Sequence, residues 1–279
     1  MTAVPNVELN NGVHIPQLGF GVFQVPPSDT QQVVEQALEI GYRHIDTAEM
    51  YGNEAGVGAA LRAAGLPRDQ VFVTSKLNNG FHHRDDAVRA FDGTLAALGF
   101  DYLDLFLIHW PLPSHDTYVE AWQTLEGIYA EGRARAIGVS NFHVAHLDRL
   151  AGECDVVPAA NQIESHPYLQ QDVLHAADAA RGIATEAWSP IARGRCLNDP
   201  VLLGIAAEHD VSSAQVALRW AIQRGDIVFP KSVDPVRMAS NFDLFSFELS
   251  DEDMAAIATL DRGERTGPDP DQFDWIPKS

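Results

Sequence analysis

The sequence predicts a (β/α)8 TIM barrel carrying an N-terminal β-hairpin and two additional helices. Three observations lead there. Eight short apolar runs alternate with eight helical patterns, which is the order of a parallel sheet wrapped in helices. Three of those runs end in groups able to move a proton, at Asp46, Lys76 and His109, and catalytic groups of barrels collect at the carboxyl ends of strands. The length of 279 residues suits one barrel domain of residues 1–279, since such barrels run to about 250 residues or more.

Val7-Glu8-Leu9 and Val13-His14-Ile15 flank an Asn-Gly turn, a hairpin signal that falls outside the main sheet. Strand-like runs follow at 18–21, 43–46, 71–75, 103–109, 134–139, 159–163, 183–187 and 227–229. Helical periodicity occupies 30–40, 54–64, 85–98, 118–131, 144–151, 170–181, 212–224 and 236–241. Two helices lie outside the repeat, one over 201–208 and one over 250–260, opened by Ser250 with Asp253 in capping-box spacing. Residues 266–279 read as an irregular surface tail rich in proline and aspartate. A doubly wound open sheet fits less well. Gly19 and Gly21 follow the first strand, but Gln24 stands where the fingerprint needs glycine, and no helix opens there.

Composition narrows the function. A net charge of -20 argues against nucleic acid or an anionic membrane as a general partner. No apolar stretch approaches the roughly 20 residues that span a bilayer, and the first residues show no secretory signal pattern. With only Cys154 and Cys196, a disulfide framework is not expected, and a reducing cytoplasm is favoured.

Of the 19 basic residues only Lys76, Lys231 and Lys278 are lysines. Lys278 lies in the tail, but the other two each end an apolar run in a chain that otherwise prefers arginine. A compact ammonium is the choice where a point charge must be desolvated. Asp46 and His44, two residues apart, share a strand face, and Tyr51 follows within reach of the strand's end. A phenol donates a proton poorly at neutral pH unless a cation favours the phenolate; Lys76 is the expected cation, held by Asp46, with His109 assisting. Each residue also has a plain structural reading: Asp46 as a turn cap, Tyr51 as a rim aromatic, His109 as a core histidine. Their shared position at the ends of successive strands favours one site.

A second cluster is expected at the last strand. Asp234 suits a helix N-cap and Pro235 its first turn, so backbone N–H groups would point at an anion. Arg237 and Asn241 share one face of that helix, and Lys231 precedes it. The plain alternative is a surface helix with solvated charges.

With those residues in view, the chain resembles the aldo-keto reductase family over about residues 7–260. The motifs are Gly41-Tyr42-Arg43-His44-Ile45-Asp46-Thr47-Ala48 with Tyr51-Gly52-Asn53-Glu54, then Leu107-Ile108-His109-Trp110-Pro111, Ile137-Gly138-Val139-Ser140-Asn141-Phe142, Asn161-Gln162-Ile163-Glu164, and Pro230-Lys231-Ser232-Val233. Within the family it is most similar to bacterial 2,5-diketo-D-gluconate reductases. The resemblance implies reduction of aldehydes and ketones, with hydride from NADPH and a proton from Tyr51, tuned by Lys76 and Asp46, while His109 contacts the carbonyl. It implies a cofactor set of Ser140, Asn141 and Gln162 on the carboxamide, Trp188 stacked on the nicotinamide, Lys231, Ser232 and Arg237 around the 2′-phosphate, and Asn241 on the adenine, with Ser189 and Val233 as further cofactor contacts. Phe23, His109 and Trp110 are the expected substrate contacts, the substrate class small dicarbonyls or keto-sugar acids, and the state a monomer with no metal.

Two positions depart from the family's habit. Asn78 stands where a Trp often lines the pocket, which predicts a smaller, more polar wall, and Val22 replaces a frequent Thr. Two rival readings are a metal-dependent hydrolase using His44, Asp46, His109 and His166, and a non-catalytic NADPH-binding sensor or partner subunit. The first leaves Tyr51, Lys231 and Arg237 without a task; the second leaves the tuned phenol without one.

Overall fold

A computed structural model describes residues 4–277; Lys278 and the ends of both terminal segments read above lie outside the described residues. The strands over 72–77 and 103–108 are buried at every position, as strands covered on both faces must be. The strands are β1 (Asn6–Glu8), β2 (His14–Pro16), β3 (Phe20–Gly21), β4 (His44–Asp46), β5 (Phe72–Leu77), β6 (Leu103–Ile108), β7 (Ala134–Ser140), β8 (Ala160–Glu164), β9 (Ala184–Trp188) and β10 (Ile227–Val228). The helices are α1 (Pro27–Ile40), α2 (Glu54–Ala64), α3 (Arg84–Leu98), α4 (Tyr118–Ala130), α5 (Val144–Glu153), α6 (Asp172–Ala180), α7 (Pro200–Glu208), α8 (Ser213–Gln223), α9 (Pro235–Phe242) and α10 (Asp251–Ala258). The two helices outside the repeat are α7 and α10.

Strands β3 to β10 form one parallel eight-stranded sheet in chain order. A parallel bridge from Leu18 to Val228 closes it, with Gly19 donating to the Val228 carbonyl at 2.7 Å. The strand expected over 18–21 is therefore shared: Leu18 and Gly19 serve the closing seam, and only Phe20 and Gly21 pair with β4. Gly19 meets a steric need, since a Cβ there would lie 2.5 Å from the buried His44 ring.

The β1–β2 hairpin is a separate antiparallel pair. It seats Leu9 and Ile15 against Phe72, Leu105, Leu107, Ala136 and Ile227, so it plugs the amino end of the barrel. Helix α10 opens with the expected reciprocal cap between Ser250 and Asp253. Among the described residues, no helix is long and apolar enough to cross a membrane.

Candidate active site at the carboxyl end of the barrel

Strand alternation sends Asp46 and Lys76 into the barrel, and the β4–β5 register sets them together. The Lys76 ammonium, fully buried, donates to Asp46 Oδ1 at 2.9 Å, Asp46 Oδ2 at 2.8 Å and the Thr47 carbonyl at 2.8 Å. Burial works against that charge, but Asp46, Tyr51 and Glu186 outweigh it and raise the lysine's pKa. Lys76 is thus a fixed cation.

A short 3-10 turn at Glu49–Tyr51 follows β4 and lays the Tyr51 ring over the pair. The Lys76 Nζ is 5.2 Å from its centroid. Phe23 packs on one side at 5.0 Å, and His109 meets it edge-on at 5.8 Å. One expectation needs correcting. Burial lifts the Tyr51 phenol above its ordinary value, and the charge and hydrogen bond of Lys76 offset this only in part. The cation restrains the rise and does not lower the phenol below 10.

His109, just past β6, is held well below its usual pKa by burial and by Lys76, so the imidazole is neutral. Its Nδ1 is buried without a partner. Beside it, Asn141 takes a left-handed backbone (φ 65), which Asn tolerates better than most residues. From there Nδ2 donates to the His109 carbonyl and to Ser140 Oγ, both at 3.0 Å, while Oδ1 accepts the Trp188 indole N–H at 2.8 Å. Asn141 and Ser140 are expected ligands of a carboxamide, yet here they chiefly brace the wall: Ser140 Oγ donates to the Gln162 carbonyl at 2.9 Å.

These side chains border a cavity of about 490 Å³ whose wall includes Phe23, Asp46, Tyr51, His109, Trp110, Ser140, Asn141, Gln162, Trp188, Ser189 and Lys231. A larger cavity of about 760 Å³ lies under the hairpin at the opposite end, and none of the predicted site residues lines it. Chemistry therefore selects the smaller one. Asn78 does not line it. Its side chain caps Asn79 and donates to Glu49, so the wall gains no polar group there and Met50 lines it instead. Val22 is also buried away from the cavity.

The tail was expected at the surface, but it crosses the mouth. Its backbone lacks helix and strand as predicted, yet Pro268, Phe273 and Trp275 line the cavity, and Phe273 packs on Trp110 at 4.3 Å. Glu164 anchors this strap by accepting from Thr266 N at 2.6 Å and Gly267 N at 3.1 Å, with Thr266 Oγ1 donating as well. Two aromatic residues in a Pro- and Asp-rich tail were the available signal. Met50, Ile191 and Arg193, also in the wall, gave none.

At the far side, Lys231 borders the cavity and Arg237 is exposed. Helix α9 begins as predicted, but Asp234 already accepts from the N–H groups of Val236 and Arg237 at 2.9 and 3.1 Å. The helix end is satisfied by its own cap, leaving an anion to the side chains. Ser232 is turned toward Asp234, and Val233 and Val236 are exposed apolar residues beside the two cations. Asn241 is half-buried on the last turn of α9.

The donor set of the hydrolase reading does not converge. Asp46 is spent on Lys76, His44 lies against Pro16 O and Thr74 Oγ1, and His166 pairs with Glu164 at 3.1 Å. Among the described residues, the acidic and histidine side chains that do approach as a group are Asp269 and Asp271 on the strap and His143 at the start of α5.

Fold and cluster together define the class: a (β/α)8-barrel enzyme with a buried cluster of titratable side chains at the carboxyl mouth. The profile described as Aldo/keto reductase family matches residues 17–262. The chain is 46% identical over 275 residues to methylglyoxal reductase DkgA of Yersinia pestis, covering 98% of this chain and 99% of that protein. It is 47% identical to morphine 6-dehydrogenase of Pseudomonas putida, covering 97% and 96%. A solved structure of a Gox0644 mutant in complex with NADPH superposes with a TM-score of 0.95 at 41% identity, covering 98% of this chain and all of that one. The chain belongs to the aldo/keto reductase family.

Proposed function

We propose that this enzyme reduces small dicarbonyls or keto-sugar acids, taking the proton from Tyr51. The observation that carries the reading is the buried Lys76–Asp46 pair set beneath the Tyr51 ring. The reaction class is carbonyl reduction and the cofactor is NADPH. The residues present fit it. Trp188 stands in the cavity wall with its indole N–H tied to Asn141, Gln162 borders the same cavity, and Lys231 and Arg237 supply cations beside exposed valines. When bound, NADPH supplies the hydride.

The protein's own part is proton management. A substrate oxygen placed between Tyr51 and His109 gains negative charge as its carbon is reduced. Tyr51 is positioned to give that oxygen a proton, and Lys76 stabilises the phenolate left behind. His109 is neutral, and with Nδ1 buried and unpartnered, carrying its hydrogen on the other nitrogen avoids an orphaned buried donor. In that tautomer it donates a hydrogen bond to the same oxygen. Phe23, Trp110, Phe273 and Trp275 exclude water and limit substrate size. The relatives named for methylglyoxal and morphine chemistry support carbonyl reduction and leave the substrate to the cavity, whose volume of about 490 Å³ must hold substrate and nicotinamide together.

The test is loss of NADPH absorbance with methylglyoxal and a keto-gluconate. Tyr51→Phe should abolish turnover while leaving NADPH affinity near wild type, and equal loss of both would contradict the role. Ser232, Val233, Ser189 and Asn241 complete the proposed cofactor contacts. Arg237→Ala should weaken NADPH far more than NADH; an equal effect would remove Arg237 from the 2′-phosphate. The same reading takes the protein as cytoplasmic, in keeping with two free cysteines, and as a monomer; a larger species on size-exclusion chromatography would contradict the monomer.

A further inference from the structure

Below the Lys76–Asp46 pair lies a second carboxyl that the reaction does not use. Glu186, on β9, is fully buried, and its Oε1 has no partner. Its Oε2 accepts from Gln162 Nε2 at 3.0 Å, and the same amide nitrogen donates to Asp46 Oδ2 at 2.9 Å. An amide NH2 has two hydrogens, so both are committed to carboxyl oxygens. The Gln162 side-chain oxygen takes no hydrogen bond from the described residues, and Gln162 borders the cavity.

We propose that Glu186 is a positioning residue: with Asp46 it clamps the NH2 of Gln162 and so turns the Gln162 oxygen outward as an acceptor for the carboxamide N–H of NADPH. This rests on the cofactor placement proposed above. An amide has two nearly isosteric orientations, and its hydrogen-bond surroundings choose between them. Here the reversed orientation would set an oxygen against two carboxyl groups. Asp46 alone would leave one N–H unplaced, whereas Glu186 makes the choice complete.

The clamp has a protonation state. The groups facing Glu186 are Gln162 on β8, Asp46 on β4 and Lys76 on β5, while its neighbour on β10, Ile227, brings no charge. Burial and then Asp46 push the Glu186 carboxyl up to about 7, with Gln162 and Lys76 opposing. Ionised, it can only accept, and the amide is held. Protonated, it can donate, and the reversed amide becomes tolerable. Cofactor affinity should therefore rise as pH rises through about 7.

The experiment measures NADPH dissociation constants by tryptophan quenching, and kcat and KM, from pH 5.5 to 8.5 in wild type, Glu186→Gln and Glu186→Ala. Glu186→Gln can donate as the protonated acid does and loses the titration, so its affinity should match wild type at acid pH and lack the wild-type step near 7. Ionisation of the nucleotide itself is common to both proteins and cancels in their ratio. Glu186→Ala should raise the NADPH KM by about fivefold, within the range of one hydrogen bond, with a smaller effect on kcat. A wild-type step retained in Glu186→Gln overturns the inference, as does an unchanged KM in a folded Glu186→Ala. Should Glu186→Ala not fold, the Glu186→Gln ratio decides alone. Wild-type protein that neither binds nor oxidises NADPH would instead overturn the cofactor reading on which the clamp rests.

Discussion

Lys76 reaches both oxygens of Asp46, at 2.9 and 2.8 Å, from inside a barrel where neither side chain meets appreciable solvent. A buried ion pair of this kind is strongly interdependent, because removing one partner strands the other's charge. Asp46→Asn should lower kcat by on the order of 100-fold and destabilise the fold by about 3–5 kcal/mol. Steady-state kinetics beside urea unfolding would check both, and an unaltered unfolding midpoint would show that Lys76 has another counter-ion.

The strap over the mouth depends on a close backbone approach. A Cβ on Gly267 would fall 2.4 Å from the Trp188 ring, and that ring is tethered through its indole N–H to Asn141. Gly267→Ala should displace either strap or indole, cost about 1–3 kcal/mol, and raise KM for NADPH by more than it lowers kcat. Equal kinetic constants in the variant would mean the strap moves freely.

Glu164 gives that strap a sign with pH. Burial opposes its charge, but hydrogen bonds from His166, Thr266 and Gly267 prevail and hold the carboxyl below its ordinary value of 4.5. A depressed carboxylate contributes stability above its unfolded pKa and loses it as pH falls through the folded one. Protease cleavage within residues 266–277 should accelerate once pH drops below about 4.5, and Glu164→Gln should show that faster cleavage already at pH 7.

Global stability is pulled both ways. Burial pushes His44 and His82 down to about 4; their unfolded forms bind protons below about 6.5, so stability is lost as pH falls from there toward 4. Asp178, on α6 and bonded to Asn161, is pushed by burial up to about 7. It binds a proton more tightly when folded, so its contribution is lost as pH rises from about 4 to 7. Relative to wild type, Asp178→Asn should gain on the order of 2–4 kcal/mol between pH 4 and 8. Urea unfolding at the two pH values measures this, and a pH-independent difference would show that Asp178 is ionised in the fold.

Most of the barrel was legible because strand and helix periods are local. The run from Leu103 to Ile108 and the Ser250–Asp253 cap announce themselves within a few residues. Positions of Asp46, Tyr51, Lys76 and His109 could be read for the same reason: each ends or follows a strand, and chain order in a closed parallel barrel brings strand ends to one mouth. Strand lengths were less legible, since the seam at Leu18 and Val228 is a contact between the two ends of the sheet.

Local pattern in the chain was thus enough for the alternation of elements and for the set of side chains that gather at the carboxyl end. It took the folded chain to decide that the tail roofs the cavity, that Asn78 turns to Glu49, and that Glu186 shares the Gln162 amide with Asp46. Folding also decided that the Tyr51 phenol rises. One cause is common to all four: hydrogen-bond choice and desolvation depend on which groups meet across long chain separations, and a local pattern carries no record of that meeting.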